Sequence, residues 1–255
     1  MPASYDKTLK YRLIEEVGFK DHFKADRWQD YNRQFFDGLA PKYDRLNEVL
    51  SLGQHRRVKQ KALSRIGIRS GWKILDLCTG SGDMAIFLGR RYPDCEILGA
   101  DVSEKMLEIA RRRGKGLPNV RFVNEDTMSL RFPDRTFDLV LISFGLRNLD
   151  DLKAGLLEMK RVAKPGGFVV NLDLGQPPAG FFRWGHRLFF HHLIPFLGKT
   201  VFHRGEFNSF RYLPTSSKYF PSQSELVTIF EAMGFKDVKR YDYMFGGISQ
   251  QIGQV

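Results

Sequence analysis

The chain has 255 residues, 42% hydrophobic and 27% charged, which suits one α/β domain with additional helices. Its formal net charge of +11 calls for an anionic surface as partner or serves solubility alone; without an RNA-recognition, zinc-finger or helix-turn-helix pattern, nucleic acid ranks below a membrane surface. Two cysteines, Cys78 and Cys95, exclude a disulfide framework and a cysteine metal site, no apolar run reaches the ~18–20 residues of a membrane-spanning helix, and Met1–Asp6 lacks the apolar core of a secretory signal, so a cytoplasmic setting is expected.

Residues 1–70 are charged and helical in pattern, with Leu46, Val49 and Leu50 at i, i+3, i+4 spacing, and form a helical N-terminal extension. The first apolar run, Lys73-Ile74-Leu75-Asp76-Leu77, turns through Cys78-Thr79-Gly80-Ser81-Gly82-Asp83 into a helix beginning near Met84. A second run, Ile97-Leu98-Gly99-Ala100, ends in Asp101. That acid lies about 20 residues beyond the glycines, where a βαβ nucleotide site holds a ribose. Gly80 and Gly82 let backbone approach a ligand closely. The glycines alone are equally explained by a tight strand-to-helix turn; the turn together with Asp101 favours a nucleoside. Asp83 can cap the helix and suits its dipole, but it would repel a pyrophosphate docked there. S-adenosylmethionine carries an adenosine, a sulfonium and an ammonium and no phosphate, and it fits this turn better than a dinucleotide does.

Further strands are expected at 120–124, 138–143 and 167–173, beside those at 72–77 and 96–101. Strands alternating with helices imply a parallel sheet covered on both faces. Arg111-Arg112-Arg113 and Lys115 read as a solvated helix end. After the third strand, Asp126 can accept the adenine amino group and the backbone at Thr127 can address a ring nitrogen; a polar loop with a capping acid explains the same residues. After the fourth strand comes Ser143-Phe144-Gly145-Leu146-Arg147-Asn148. Arg147 there either pairs with a carboxylate such as Asp83 or Asp150, or stabilises an oxyanion on an acceptor.

Residues 176–221 break the alternation. Phe181, Phe182, Trp184, Phe189, Phe190 and Phe196 mix with Arg183, Arg187 and three histidines, of which His191 and His192 point about 100° apart on a helix and do not share a metal. Core packing explains the individual aromatics; a lid at about 177–221 over an apolar substrate explains the segment. A helix over 222–233 opens with a capping box, Ser222 and Glu225. The chain closes in a hairpin, Val238–Tyr243 and Ile248–Val255, around Gly246-Gly247.

Several blocks together resemble the ubiquinone/menaquinone biosynthesis C-methyltransferase family of class I S-adenosylmethionine methyltransferases. They are Phe36-Asp37-Gly38-Leu39-Ala40-Pro41-Lys42-Tyr43-Asp44-Arg45-Leu46-Asn47, Ser51-Leu52-Gly53-Gln54-His55-Arg56, the Asp76–Asp83 turn and, most specific, Phe144-Gly145-Leu146-Arg147-Asn148. The resemblance covers roughly residues 35–253 and is closer to menaquinone-pathway members through Leu174-Gly175-Gln176-Pro177 and Leu193–Lys199. It implies a Rossmann-like fold with a mostly parallel seven-stranded sheet, a C-terminal antiparallel hairpin, the N-terminal extension (1–70) and a methyltransferase domain (71–255) bearing the lid. It implies S-adenosyl-L-methionine held by Asp76, Gly80, Ser81, Gly82, Asp101, Asp126, Thr127 and Ser143. Arg147 and Asn148 match residues that activate the acceptor, and Tyr43, Asp44 and His55 match an element closing over the site. The implied reaction is C-methylation of a polyprenyl quinol, demethylmenaquinol to menaquinol or the equivalent ubiquinone-pathway step, with no metal. Transient contact with an anionic membrane surface is expected, and a homodimer is left open. The chain departs from the pattern at Val58, where a tryptophan is common, and at Gln250-Gln251, where the last strand commonly bears a histidine. An O- or N-methyltransferase of a soluble molecule is the main rival, and a nicotinamide dehydrogenase a distant one.

Overall fold

The computed structural model describes residues 28–43, 48, 51, 53–178, 180 and 220–255. Asp44, the Leu46–Leu50 pattern and nearly all of the expected lid lie outside the described residues.

Seven strands form one sheet in the order β3-β2-β1-β4-β5-β7-β6. They are β1 Lys73–Leu77, β2 Glu96–Asp101, β3 Val120–Asn124, β4 Phe137–Ser143, β5 Ala163–Leu174, β6 Lys236–Tyr243 and β7 Ile248–Gln254. Strands β1 to β5 are parallel, and β7 runs antiparallel to both β5 and β6. The order reverses direction at β1, so the carboxyl ends of β1, β2 and β4 meet at the switch point where open α/β sheets bind ligands.

Alternation along β1 explains how both faces are covered. Leu75 and Leu77 face one core with Val140, Ile142, Leu156, Met159 and Phe230. Ile74 faces the other with Leu141, Met84, Leu88 and Ile252. The covering helices are α1 Trp28–Leu39, α2 Gln54–Leu63, α3 Asp83–Arg91, α4 Glu104–Arg113, α5 Leu152–Val162 and α6 Gln223–Ala232. Val58, Ala62 and Leu63 of α2 join the second core, so the end of the N-terminal extension is packed into the sheet. Val58 is buried in that core. Burying such a side chain contributes about 1.5–3 kcal/mol.

Ser222 accepts from the Glu225 amide while the Glu225 carboxylate takes the Ser222 amide, the expected capping box at α6. The start of α3 differs from expectation. Gly82, at φ +83°, is its N-cap and Asp83 its first helical residue; the Asp83 side chain does not cap the helix but faces His55, Lys59 and Arg113. A Cβ on Gly82 would lie 3.0 Å from both Ala110 and Phe122, so its smallness serves backbone handedness and packing against α4 and β3.

Gly145, after β4, is tighter still: a Cβ there would lie 2.5 Å from the Cys78 Cβ. Gly145→Ala therefore forces apart the ends of β1 and β4, and overpacking of this kind costs about 1–3 kcal/mol. Denaturant unfolding of the variant is expected to show that loss; wild-type stability would mean the two strand ends separate freely.

Candidate active site

The first strand end carries Asp76, 1% exposed. Its Oδ2 accepts from Thr79 Oγ1 at 2.6 Å and from the Ala85 amide at 3.1 Å, while Oδ1 is buried with no partner among the described residues. Burial pushes the Asp76 carboxyl up to about 7, against smaller lowering by Thr79 and Lys59. Its unfolded value is 3.8, so the folded chain holds this proton more tightly. The stabilisation that follows is fully present below about pH 4 and is lost as pH rises through the folded value. Asp76→Asn should abolish this fall between about pH 4 and 7, read as the difference between wild-type and variant unfolding free energies across that window. Parallel curves for the two proteins would place the Asp76 proton elsewhere.

Asp101 ends β2. Its Oδ2 accepts the Gly80 amide at 2.8 Å and Oδ1 the Ser103 amide at 2.9 Å. Burial pushes this carboxyl up as well, opposed by those amide hydrogen bonds. The acid thus joins the glycine turn to the start of α4. Ser103 caps α4 and donates through Oγ to Asp37 of α1 at 2.5 Å. Beyond β3, Asp126 Oδ1 accepts the Met128 amide at 2.9 Å, and buried Thr127 meets Cys78 Sγ at 3.7 Å. Burial pushes the Cys78 thiol up, keeping it protonated.

Ser81 and Asp83 are drawn inward by a residue read from sequence as solvent-facing. Arg113 donates to the Ser81 carbonyl at 2.9 Å, to Ser81 Oγ at 2.8 Å and to Asp83 Oδ1 at 2.5 Å. His55 Nε2 and Lys59 Nζ each lie 3.6 Å from Asp83 Oδ2. Burial works to raise the Asp83 pKa, yet His55, Lys59 and Arg113 together hold it well below the carboxylate range. Lys59 and Arg113 thus supply positive charge at Asp83 from within the protein. His55 is itself buried and bonded through Nδ1 to Ser51 Oγ at 2.7 Å. Tyr43 comes over the turn: a Cβ on Gly80 would lie 3.6 Å from its ring. Tyr43 and His55, assigned from sequence to an element over the site, thus both reach the glycine turn.

The fourth strand delivers Ser143, whose buried Oγ has no partner among the described residues, then a short 3₁₀ turn, Leu146–Asn148. Phe144 takes φ +58°, a left-handed conformation that costs of order 1–3 kcal/mol for a non-glycine residue. This aims its carbonyl at Arg147 Nη1, 2.7 Å away, and towards Asn148 Nδ2 at 3.4 Å. Arg147 does have a carboxylate, but the partner is Asp173 of β5 rather than Asp83 or Asp150, at 2.6 Å. The Asn148 carbonyl accepts from Asn32 of α1 at 2.8 Å. Helix α1 is therefore tied through Asp37 to Ser103, the neighbour of Asp101, and through Asn32 to the Arg147 turn.

Two orphaned buried acceptors, Asp76 Oδ1 and Ser143 Oγ, flank a glycine turn tied to an acid at the next strand end. Those residues fit a nucleoside ligand bearing a cationic amino group. The ubiE/COQ5 methyltransferase family model matches residues 24–254.

The chain belongs to the ubiE/COQ5 methyltransferase family.

A demethylmenaquinone methyltransferase of Thermus thermophilus is 41% identical over 216 residues, covering 84% of this chain and 96% of that protein. One of Staphylococcus aureus is 38% identical over 231 residues, covering 90% and 94%. Among solved structures, a SAM-dependent methyltransferase from Aquifex aeolicus has the same fold at 19% identity, with a TM-score of 0.59 over 83% of this chain and 97% of that one. This member of the ubiE/COQ5 family is thus an S-adenosylmethionine-dependent methyltransferase on the expected seven-stranded sheet. Sequence reading alone missed Arg113, Asp173, Asn32 and Asp37. Asp173 carried a signal: like Asp76 and Asp101, it is an acid inside an apolar run at a strand's carboxyl end.

Proposed function

We propose that the enzyme methylates a ring carbon of a demethylmenaquinol. The observation that carries this is the Arg147–Asn148 turn at the end of β4, next to the strand ends bearing Asp76 and Asp101, in a chain with demethylmenaquinone methyltransferases as relatives. When bound, S-adenosylmethionine supplies an electrophilic methyl group. Asp76 Oδ1 and Ser143 Oγ take its amino-acid end, Asp101 its ribose, and Asp126 with the Thr127 backbone its adenine. Gly80, Ser81 and Gly82 shape the turn against it.

Loss of a phenolic proton makes the adjacent ring carbon of a quinol nucleophilic. Arg147 and Asn148 donate hydrogen bonds that favour the phenolate and fix the ring. Tyr43 and His55 close the N-terminal element over the turn and exclude water. The test is an assay with reduced short-chain demethylmenaquinol and methyl-labelled S-adenosylmethionine, the product placed by mass spectrometry. Label on a ring carbon supports the reading; label on oxygen, or turnover only with soluble amines or alcohols, replaces it with the O- or N-methyltransferase.

A polyprenyl quinol partitions into bilayers, so the enzyme has to meet a lipid surface. Among the described residues no helix is long and apolar enough to cross a membrane. The aromatic and basic residues of 177–205 suit peripheral contact instead, each juxtamembrane basic residue contributing about 1 kcal/mol towards anionic lipid. Co-sedimentation with anionic vesicles at low salt is expected, weakening as salt screens the charges. Equal and negligible binding to anionic and neutral vesicles would reduce the basic charge to solubility.

A further inference from the structure

Asp173 is 0% exposed and sits one residue before the end of β5. Its carboxylate is spent almost wholly on one neighbour. Oδ1 accepts Arg147 Nη1 at 2.6 Å and the Leu174 amide at 2.8 Å, and Oδ2 accepts the Arg147 amide at 3.2 Å. The acid therefore holds both the backbone of the Arg147 turn and its guanidinium. The Phe144 carbonyl, set by a left-handed backbone, holds the same Nη1 from the other side. Arg147 is only 6% exposed, so the pair lies in a medium where a fixed charge is expensive. Stability does not require such a pair, since well-packed apolar residues commonly replace one at no loss. A donor that must meet a developing oxyanion within a fraction of an ångström does require it.

We propose that Asp173 is a positioning residue for methyl transfer: it orients the Arg147 guanidinium at the end of β4 and cancels its charge, so that Arg147 acts as a directed hydrogen-bond donor within a neutral pair. This rests on the reading of Arg147 as the group that activates the quinol. Two consequences separate this from a purely structural role. Moving the carboxylate should lower kcat without touching cofactor affinity. Removing its charge should take the Asp173 compensation away from the Arg147 cation beside the phenol, so that the bound quinol ionises at lower pH.

The experiment compares wild type, Asp173→Asn and Asp173→Glu by calorimetry with S-adenosylmethionine, thermal unfolding, and kcat and KM for demethylmenaquinol across pH, all per folded enzyme. Asp173→Asn is expected to bind S-adenosylmethionine within about 3-fold of wild type, to lose about 10²-fold in kcat, and to shift the acid limb of its kcat profile to lower pH. Asp173→Glu keeps the charge but moves it by one methylene, so kcat should fall at least about 10-fold with the acid limb in place. Wild-type kcat in either folded variant overturns the proposal, however far its melting temperature drops. A lowered kcat in Asp173→Asn with an unmoved acid limb also overturns it. If Asp173→Asn does not fold, Asp173→Glu decides by the same kcat criterion. Wild-type product is scored in the same assay. Its absence removes the quinol reading and this role with it, whereas normal wild-type product with insensitive variants removes the role of Asp173 alone.

Discussion

Arg147→Ala is expected to lower turnover by ~10²–10³ while leaving S-adenosylmethionine affinity close to wild type, the usual effect of deleting one donor to a developing oxyanion. The guanidinium pairs with Asp173 of β5, and Asp76 and Asp101, the acids proposed to hold the cofactor, make no bond to it among the described residues. The substitution has a second effect, because it strands the Asp173 carboxylate in the core. Removing one partner of a buried pair commonly costs about 3–5 kcal/mol, so the variant's melting temperature should fall too. The two effects separate in the double variant Arg147→Leu with Asp173→Leu, which removes both charges: stability should return and turnover should not. Single-turnover kinetics and calorimetry on both proteins check this. A variant that loses cofactor affinity but keeps turnover at saturation would make Arg147 only the structural partner of Asp173.

The sheet was legible because its central strands are buried on both faces and so read as short apolar runs bounded by glycine and polar turns. Strands β1, β2, β3 and β4 fall within one residue of the ranges expected from sequence. Strand β5 does not. It begins at Ala163 rather than 167, because Lys164-Pro165-Gly166-Gly167 reads as a turn. In the fold that stretch bulges between the Phe137–Ala163 and Leu139–Phe168 pairs of the β4–β5 ladder, with Gly166 at φ +77°. A bulge of this kind leaves no periodic trace.

At the site, the legible part was local: acids at strand ends, glycines in the turn, a capping box in consecutive residues. What escaped was pairing across the fold. Arg113 sits in a run of three arginines that looks solvated, yet its position in the last turn of α4 brings it to Ser81 and Asp83, 32 and 30 residues earlier. Charge alone could not tell it from Arg111 and Arg112. Likewise, the choice of Asp173 over Asp83 or Asp150 as partner of Arg147 follows from β4 and β5 lying side by side, with Ser143 opposite Leu172. The left-handed backbone of Cys78 and Phe144 was also invisible, since neither residue type favours it.

Asp101→Ala is expected to weaken S-adenosylmethionine binding by about 10-fold to 150-fold, the equivalent of one charge-assisted contact worth roughly 1.5–3 kcal/mol. The structure adds a reason for the upper part of that range. Asp101 accepts the Gly80 and Ser103 amides, so the alanine variant also frees the glycine turn and the first turn of α4. Ser103 in turn binds Asp37, so the loosening should reach α1. Asp101→Asn separates the two contributions. Its amide keeps an acceptor for one backbone N–H but carries no charge and turns a donor toward the other. A loss with asparagine close to that with alanine would assign most of the effect to the ribose contact and the charge; a much smaller loss would assign it to ordering of the turn. Calorimetry with S-adenosylmethionine on the three proteins, with amide hydrogen exchange at Gly80 and Ser103, reads both. Unchanged affinity in Asp101→Ala would falsify the ribose assignment and leave Asp101 as the tie between β2, the glycine turn and α4.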